Sequence, residues 1–239
     1  MISFVIPAYN ESKNIKQTVD QIVNSCTFLN ITEFEILIIN DNSNDNTEDE
    51  IRQIAKIYSQ INLITYKNKI NLGFGGSVIK GLKLAKYPHV FWLPGDNSHH
   101  SLELNKVLKE REGYDVVSTY YINAHERTIG RKLFTKIYTP FLNMIYGLNV
   151  PYYNGFSIIS KRIINQINIK TNAHCWQVEL WVKAKHIKNF NYKFVPTILK
   201  DRINSTNAFK LKNCIKVIYT IFRLFFLNLY LVIKSKFFN

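Results

Sequence analysis

The first hundred residues alternate short apolar runs with segments of helical periodicity, and this alternation restricts the fold more than any single motif. Residues 2–6 form an apolar run closed by Pro7, residues 34–39 and 61–66 form two more, and residues 89–93 form a fourth that ends at Pro94-Gly95. Runs of this length bounded by turn residues read as buried strands. Between them, Ile15, Val19, Ile22 and Val23 recur at helical spacing within residues 13–28, with Ser12 placed to cap, and residues 47–59 and 77–85 read as helices. A β-α-β-α-β-α-β order predicts an α/β fold whose central sheet is mostly parallel, with right-handed crossovers. In such sheets ligands bind beyond the carboxyl ends of the strands. Three polar stretches fall there, at residues 7–11, 40–47 and 95–100.

Downstream the pattern is mixed. Residues 114–121 read as a strand, 129–146 as an amphipathic helix, 155–160 as a short strand, 176–187 as a helix and 192–195 as a short edge strand before Pro196. No repeat or flexible linker interrupts them, so residues 1–210 are expected to form one domain and 211–239 a separate helical tail.

The net charge of +14 is concentrated near the C-terminus: from Val182 onward there are twelve Lys or Arg against one acid, Asp201. Such a bias suits a polyanionic surface. Residues 214–233 are mostly large and apolar, while Lys212, Lys216, Thr220 and Arg223 share one helical stripe. A membrane span fits the length, although Arg223 near its centre costs roughly 2.5–3.5 kcal/mol on insertion scales. An interfacial helix instead sets Lys and Arg against lipid phosphates and sinks Phe222, Phe225 and Phe226 into the acyl boundary. A helix packed on the domain, or on a second copy, is the third reading. Nucleic acid is disfavoured, because so apolar a segment has few groups to read bases. Met1 leads directly into an apolar run, so no secretory signal is expected. Cys26, Cys175 and Cys214 have no metal or redox spacing and are expected as free thiols in a reducing compartment. The expected location is cytoplasmic, peripheral on the inner membrane face. Nothing in the chain sets an oligomeric state.

Three acids, Glu11, Asp41 and Asp96, stand at the predicted strand ends. Carboxylates do not bind phosphate, but they hold a divalent cation that bridges phosphate oxygens, and they accept from ribose or base donors. Residues 71–77, Asn-Leu-Gly-Phe-Gly-Gly-Ser, read either as a phosphate-cradling turn at a helix N-terminus or as tight packing of a loop on the sheet. No Gly-Lys-Ser/Thr follows, so it is not a P-loop.

Phe4-Val5-Ile6-Pro7-Ala8-Tyr9-Asn10-Glu11 resembles the opening of family 2 glycosyltransferases. Residues 39–47, Ile-Asn-Asp-Asn-Ser-Asn-Asp-Asn-Thr, resemble that family's Asp-Asp-Gly-Ser-x-Asp-x-Thr turn, and Asn71-Leu72-Gly73 through Gly81 its Asn-x-Gly helix start. Gly95-Asp96-Asn97-Ser98-His99-His100 is similar to the Asp-x-Asp-x-Ser-His-His stretch of the dolichyl-phosphate mannosyltransferase group. Tyr153-Asn154-Gly155-Phe156, Gln177-Val178-Glu179, and Val195-Pro196 with Asp201-Arg202 resemble later segments of the same group. The matches run in order from residue 2 to about residue 210. The resemblance implies a GT-A fold and inverting transfer from a GDP- or UDP-sugar, with a polyprenyl phosphate or a saccharide hydroxyl as acceptor. A non-catalytic nucleotide-sugar binder is the reading from another class.

The resemblance places the donor on Pro7, Tyr9, Glu11, Asp41, Ser43, Asn71, Gly73, Gly75, Asp96 and Asn97. It places the acceptor on Arg131, Gly155, Phe156, Gln177, Arg202 and Lys210. Asp96, Glu179, Arg131 and Arg202 are the expected catalytic set, with Glu179 as general base should the acceptor be a hydroxyl. A phosphate acceptor is already anionic and needs cations rather than a base. His99 and His100 either contact the diphosphate or cap the helix that follows. Two departures stand out: Asn40 replaces the first Asp of the nucleotide turn, and Pro94 replaces the first Asp of Asp-x-Asp. A Mg²⁺ or Mn²⁺ cofactor is still expected, held by Asp96 and Ser98 with the donor diphosphate supplying further oxygens.

Overall fold

The computed structural model describes residues 1–123, 129–173, 175–198 and 211–237, with backbone only for 129–135, 211–214 and 235–237. Strands β1 (Ile2–Ala8), β2 (Phe34–Asn40), β3 (Asn62–Lys67), β4 (His89–Trp92), β5 (Val116–Tyr121), β6 (Ser157–Ser160) and β7 (Tyr192–Thr197) form one sheet in the order β3-β2-β1-β4-β6-β5-β7. The α/β, mostly parallel architecture expected from the alternation is borne out. β1, β2, β3 and β4 are mutually parallel, and β5 pairs parallel with β7. The exception is β6, which runs antiparallel to both of its neighbours.

Helices α1 (Ile15–Phe28), α2 (Thr47–Ile57) and α3 (Phe74–Leu84) make the crossovers, followed by α4 (Ser101–Lys109), α5 (Ile129–Tyr146), α6 (Lys161–Gln166) and α7 (Trp176–Ala184). Every residue of β1 is buried, and so is β2 beyond Phe34. Strands covered on both faces read as continuous apolar runs rather than as alternation. Edge strand β3 is half exposed, and the other edge strand, β7, tolerates Pro196 because an edge position need not donate a ladder hydrogen bond. Across the sheet centre, the rings of Phe4, Phe91 and Phe156 follow one another at 5.7 Å.

Three local expectations are corrected. Helix α1 begins at Ile15 with Asn14 at its N-cap, and Ser12 does not cap it; the Ser12 amide donates to Asp45 instead. Helix α3 begins three residues early, at Phe74, because Gly73 at φ 80° makes the entry turn. The short helix α6, capped by Ser160, was not read from the sequence.

The tail is one long helix, α8 (Leu211–Phe237), and it lies against the domain. Thr220, Leu224 and Asn228, four residues apart, are buried. The Tyr146 hydroxyl donates to the Ile221 carbonyl at 2.9 Å, and His186 Nε2 lies 3.2 Å from Asn228 Oδ1. Cys26 and Cys175 are buried free thiols, and burial pushes Cys26 up to about 12.

α3 rests on β1 through Gly81, where an added Cβ would overlap Val5 Cγ1. Gly81→Ala is therefore expected to cost about 1–3 kcal/mol by overpacking. Chemical denaturation should show part of that loss restored in the Gly81→Ala, Val5→Ala double variant.

Candidate functional site

Central strand β1 is flanked by β2 and β4, both parallel to it, so three carboxyl ends share one edge of the sheet. The Asp41 amide donates to the Ala8 carbonyl at 2.8 Å, and the Gly95 amide to the Pro7 carbonyl at 3.2 Å. Asp41 and Asp96 thus follow directly on residues hydrogen-bonded to the end of β1, one on each side, while Glu11 lies three residues beyond that end. Each exit turn passes through an asparagine in the left-handed region: Asn10 at φ 58°, Asn42 at 61° and Asn97 at 53°. Asparagine tolerates that region better than residues with bulkier side chains. The turns brace one another. Ser43 Oγ accepts from the Asn10 amide, Thr47 Oγ1 from the Glu11 amide, and Asn10 Oδ1 from the Asn44 amide. Ser43, expected to touch the donor, is thus engaged in holding the β1 turn. Tyr9 is 41% exposed beyond the tip, whereas Pro7 is buried and shapes the floor.

Asp41 is only 2% exposed. Its Oδ1 accepts from Asn68 Nδ2 and from the Leu72 amide, both at 2.8 Å, and its Oδ2 from the Gly73 amide at 2.9 Å. Asn71 Nδ2 adds a bond to the Asp41 carbonyl at 3.1 Å. The carboxylate expected to meet the nucleotide therefore also pins residues 71–73 over the end of β2. The glycines that follow answer to packing. A Cβ on Gly75 would collide with the Ala173 carbonyl, and the Gly76 amide donates to the Asn172 carbonyl at 3.3 Å. The missing side chain of Gly75 makes room for residues 172–173.

Beyond β4, Asp96 is half buried and its Oδ1 accepts from the Ser98 amide at 3.1 Å. Ser98 is itself buried, and its amide orients Asp96. Asn97 faces helix α1: its Oδ1 accepts from Gln21 and its amide donates to Thr18 Oγ1. His99 is buried 4.2 Å from the Phe156 ring and stacked at 6.1 Å on Tyr121. Burial, helped by the neighbouring His100, pushes it down to about 3, so it is neutral near pH 7. The N-cap of α4 is His100, not His99, and it makes no capping side-chain bond. Among the described residues no group of three His, Cys, Asp or Glu gathers that could hold a metal. One oriented carboxylate suits a cation that arrives coordinated to substrate phosphates, the usual habit of Mg²⁺, rather than one caged by protein alone.

Glu179 departs furthest from expectation. It is fully buried, and both oxygens are committed. Oε1 accepts from the Lys170 amide at 3.1 Å and from Lys183 Nζ. Oε2 accepts from the Thr171 amide at 2.9 Å, Thr171 Oγ1 at 2.6 Å and Arg223 Nη2 at 2.6 Å. Burial works to raise its pKa, but the bonds from Lys183, Thr171 and Lys170 outweigh it and bring the group down to about 2. A carboxylate so weakly basic and so fully engaged is not a general base; the catalytic role expected of Glu179 gives way to a structural one.

On the acceptor side, Gln177 is 2% exposed and donates to the Gly155 carbonyl at 2.7 Å. A Cβ on Gly155 would overlap the Thr119 carbonyl, and Phe156 is buried on His99 and Phe91. These three residues, expected to contact the acceptor, shape the loop that leads into β6. Arg131 lies in the first turn of α5, where only the backbone is described, and Arg202 and Lys210 fall outside the described residues. Sequence reasoning missed Thr171 and Asn172 altogether, since nothing local marks them. It saw Arg223 as a membrane cost, not as the partner of Glu179.

Comparison with known proteins bears on the domain that carries these residues. The sequence model described as "Glycosyl transferase family 2" matches residues 3–167. The poly(ribitol-phosphate) beta-N-acetylglucosaminyltransferase TarP of Staphylococcus aureus is 25% identical over 201 residues, covering 80% of this chain and 59% of that protein. An undecaprenyl-phosphate 4-deoxy-4-formamido-L-arabinose transferase of Proteus mirabilis is 28% identical over 153 residues, covering 64% and 46%. The chain thus spans about half the length of these curated relatives. Glucosyl-3-phosphoglycerate synthase from Mycobacterium tuberculosis, solved with uridine diphosphate, shares the fold with a TM-score of 0.68 at 17% identity, over 94% of this chain and 80% of that one. The same enzyme has been solved with uridine diphosphate and Mn²⁺ or Mg²⁺.

The Glu179 cluster makes a measurable claim. Glu179→Gln should lower stability by about 3 kcal/mol, the low end for breaking a buried pair because Arg223 keeps some solvent. The native pKa lies below the ordinary 4.5, so the stability this group contributes is complete above about pH 4.5 and drains as pH falls toward 2. Acid denaturation should therefore show a shallower loss for the Gln variant than for wild type across that window.

Proposed function

The chain belongs to glycosyl transferase family 2, and on that premise we propose that it moves a sugar, with inversion, from a GDP- or UDP-sugar to a polyprenyl phosphate at a membrane surface. The observation that carries this reading is the division of α8 into two unlike faces. Ile215, Ile218, Tyr219, Phe222, Phe225, Phe226, Leu229, Tyr230 and Ile233 are all exposed. The mid-helix charge, Arg223, turns the other way and meets Glu179 at 2.6 Å. Residues Ile215–Lys234 are long and apolar enough to cross a bilayer by length and composition. Their contacts with the domain favour a helix lying along the interface instead: the docked face carries Leu224, Val217, Ile221 and Leu227 together with Thr220, Arg223 and Asn228, the outward face is apolar, and Lys216 and Lys234 near its ends suit lipid headgroups. This supports a peripheral enzyme on the cytoplasmic face of the membrane.

The chemistry follows from a phosphate acceptor. One of its oxygens attacks the anomeric carbon as the nucleoside diphosphate leaves with the bonding electron pair, in a single displacement. The acceptor is already anionic at neutral pH and needs no proton removed, which accords with a Glu179 that is not a base. Arg131, Arg202 and Lys210 are the cations proposed to hold the acceptor phosphate. Tyr9, Glu11, Asp41 and Asp96 at the strand ends, with Asn71 and Gly73 on the adjoining loop, are proposed to hold the donor. A divalent cation held between Asp96 and the donor would neutralise charge developing on the diphosphate. A saccharide hydroxyl is the alternative acceptor, and likeness to TarP over 80% of the chain favours it. That reaction calls for a base, and the carboxylate expected to provide one is committed elsewhere.

The test is transfer of label from UDP- and GDP-sugars to polyprenyl phosphate in vesicles containing Mn²⁺ or Mg²⁺. Asp96→Ala should reduce turnover by about 10³-fold, in keeping with loss of a preorganised electrostatic group. An unchanged rate would reject this site. Transfer to soluble saccharides alone would establish the alternative acceptor.

A further inference from the structure

We propose that Arg223 is a positioning residue through which the tail helix clamps the donor loop, so that the seating of α8 sets affinity for the nucleotide sugar. The inference rests on the donor site proposed above. Arg223 Nη2 donates to Glu179 Oε2 at 2.6 Å and to Thr171 Oγ1 at 2.7 Å. Glu179 also accepts from the Lys170 and Thr171 amides, so one buried anion grips a helix of the tail and a stretch of irregular backbone together. That stretch then rests on the glycine loop. The Asn172 carbonyl accepts from the Gly76 amide at 3.3 Å, and the Ala173 carbonyl fills the space a Gly75 side chain would take. An ideal Cβ on Gly73 would stand 3.3 Å from the Asn172 carbonyl. The Gly73 amide is held from the other side by Asp41. Residues 170–173 belong to no helix or strand, so these anchors stand in for the ladder bonds that would otherwise fix them.

The contacts run without a gap from the tail to the strand ends: Arg223, Glu179 and Thr171, Asn172 and Ala173, Gly75 and Gly76, then Gly73 and Asp41. A contiguous route of this kind transmits a change only if one of its elements can move, and α8 is the candidate. Its outward half is apolar, and its inner half is held by Arg223, Leu224, Thr220, Asn228 and the bond from Tyr146. Lipid bound to the outward face would restrict where α8 can sit, and through Arg223 would restrict the loop as well. The enzyme would then bind donor best when it is already on the membrane that carries its acceptor.

The experiment compares full-length wild type, Arg223→Lys and Arg223→Met, using amide hydrogen exchange and titration with UDP and GDP. In Arg223→Met, exchange of residues 72–77 and 170–173 should rise about tenfold under conditions where β1 and α1 remain protected against all but global unfolding, and nucleotide affinity should fall by about the same factor. Donor KM should rise with kcat at saturation nearly unchanged, and Arg223→Lys should fall between the two. Vesicles of phosphatidylglycerol and phosphatidylcholine should tighten nucleotide binding by wild type more than by Arg223→Met. Unaltered exchange in the glycine loop, or equal response to vesicles, overturns the proposal. Should Arg223→Met fail to fold, Thr171→Val removes one link while leaving the ion pair; a smaller effect in the same direction supports the clamp, and no effect overturns it. The exchange arm needs no nucleotide, so it judges the clamp separately. Failure of wild type to bind either UDP or GDP would instead sink the proposed donor site.

Discussion

Glu179 holds a negative charge where no water reaches it, and a loop, a helix of the domain and the tail meet around that charge. Removing a carboxylate from water costs several kcal/mol unless donors and countercharges replace the solvent. Here the replacements come from three places in the chain: the amides of Lys170 and Thr171, Lys183 one turn along the same helix, and Arg223 of the tail. The tail also packs through Leu224 and through the Tyr146 bond to Ile221, but only the Glu179 cluster joins all three segments at one point. The loop at 170–173 has no ladder bonds, and the inner face of α8 carries polar residues that would be poor packing surface without a partner. The buried anion makes their association specific rather than greasy.

A second constraint acts at the opposite end of the same network. Three parallel strands end side by side, and each must turn away within a residue or two. The chain meets this with asparagines in left-handed geometry and with serine, threonine and aspartate side chains that cap the neighbouring turn. The exit turns of β1 and β2 therefore form one hydrogen-bonded rim, and Asp41 extends it to the glycine loop. Such a rim is rigid before any ligand arrives, which is what a site for a flexible diphosphate requires. The polar residues there mostly bond each other, so the protein's own groups set the shape of the rim.

The order of elements was readable because β1, β2 and β4 are buried on both faces and so appear as unbroken apolar runs. The direction of β6 was not, since a four-residue strand reads the same either way; only its antiparallel register with β4 and β5 reveals it. At the site, the strand-end acids were legible as a set, but their division of labour was not. A glutamate that acts as a base and one that anchors an arginine are identical in sequence, and the partner that distinguishes them lies 44 residues away in a helix of different composition. The glycines at 75 and 155 illustrate the same limit. A glycine demanded by an approaching phosphate and one demanded by an approaching carbonyl leave the same signature, and here the approaching atoms are the Ala173 and Thr119 carbonyls.

The tail shows how a sequence rule changes its meaning once a partner is known. Arg223 in the middle of an apolar helix argues against insertion when the helix is taken alone, because the guanidinium would face hydrocarbon. Paired with Glu179 it argues for lipid contact, since it fixes which face turns inward and leaves the outward face free of charge from Ile218 to Ile233. An amphipathic helix ordinarily gains its polar face from water. This one turns Thr220, Arg223 and Asn228 toward the domain it is docked on, so the polar groups of the helix are satisfied by protein and its apolar side chains are the ones left outward.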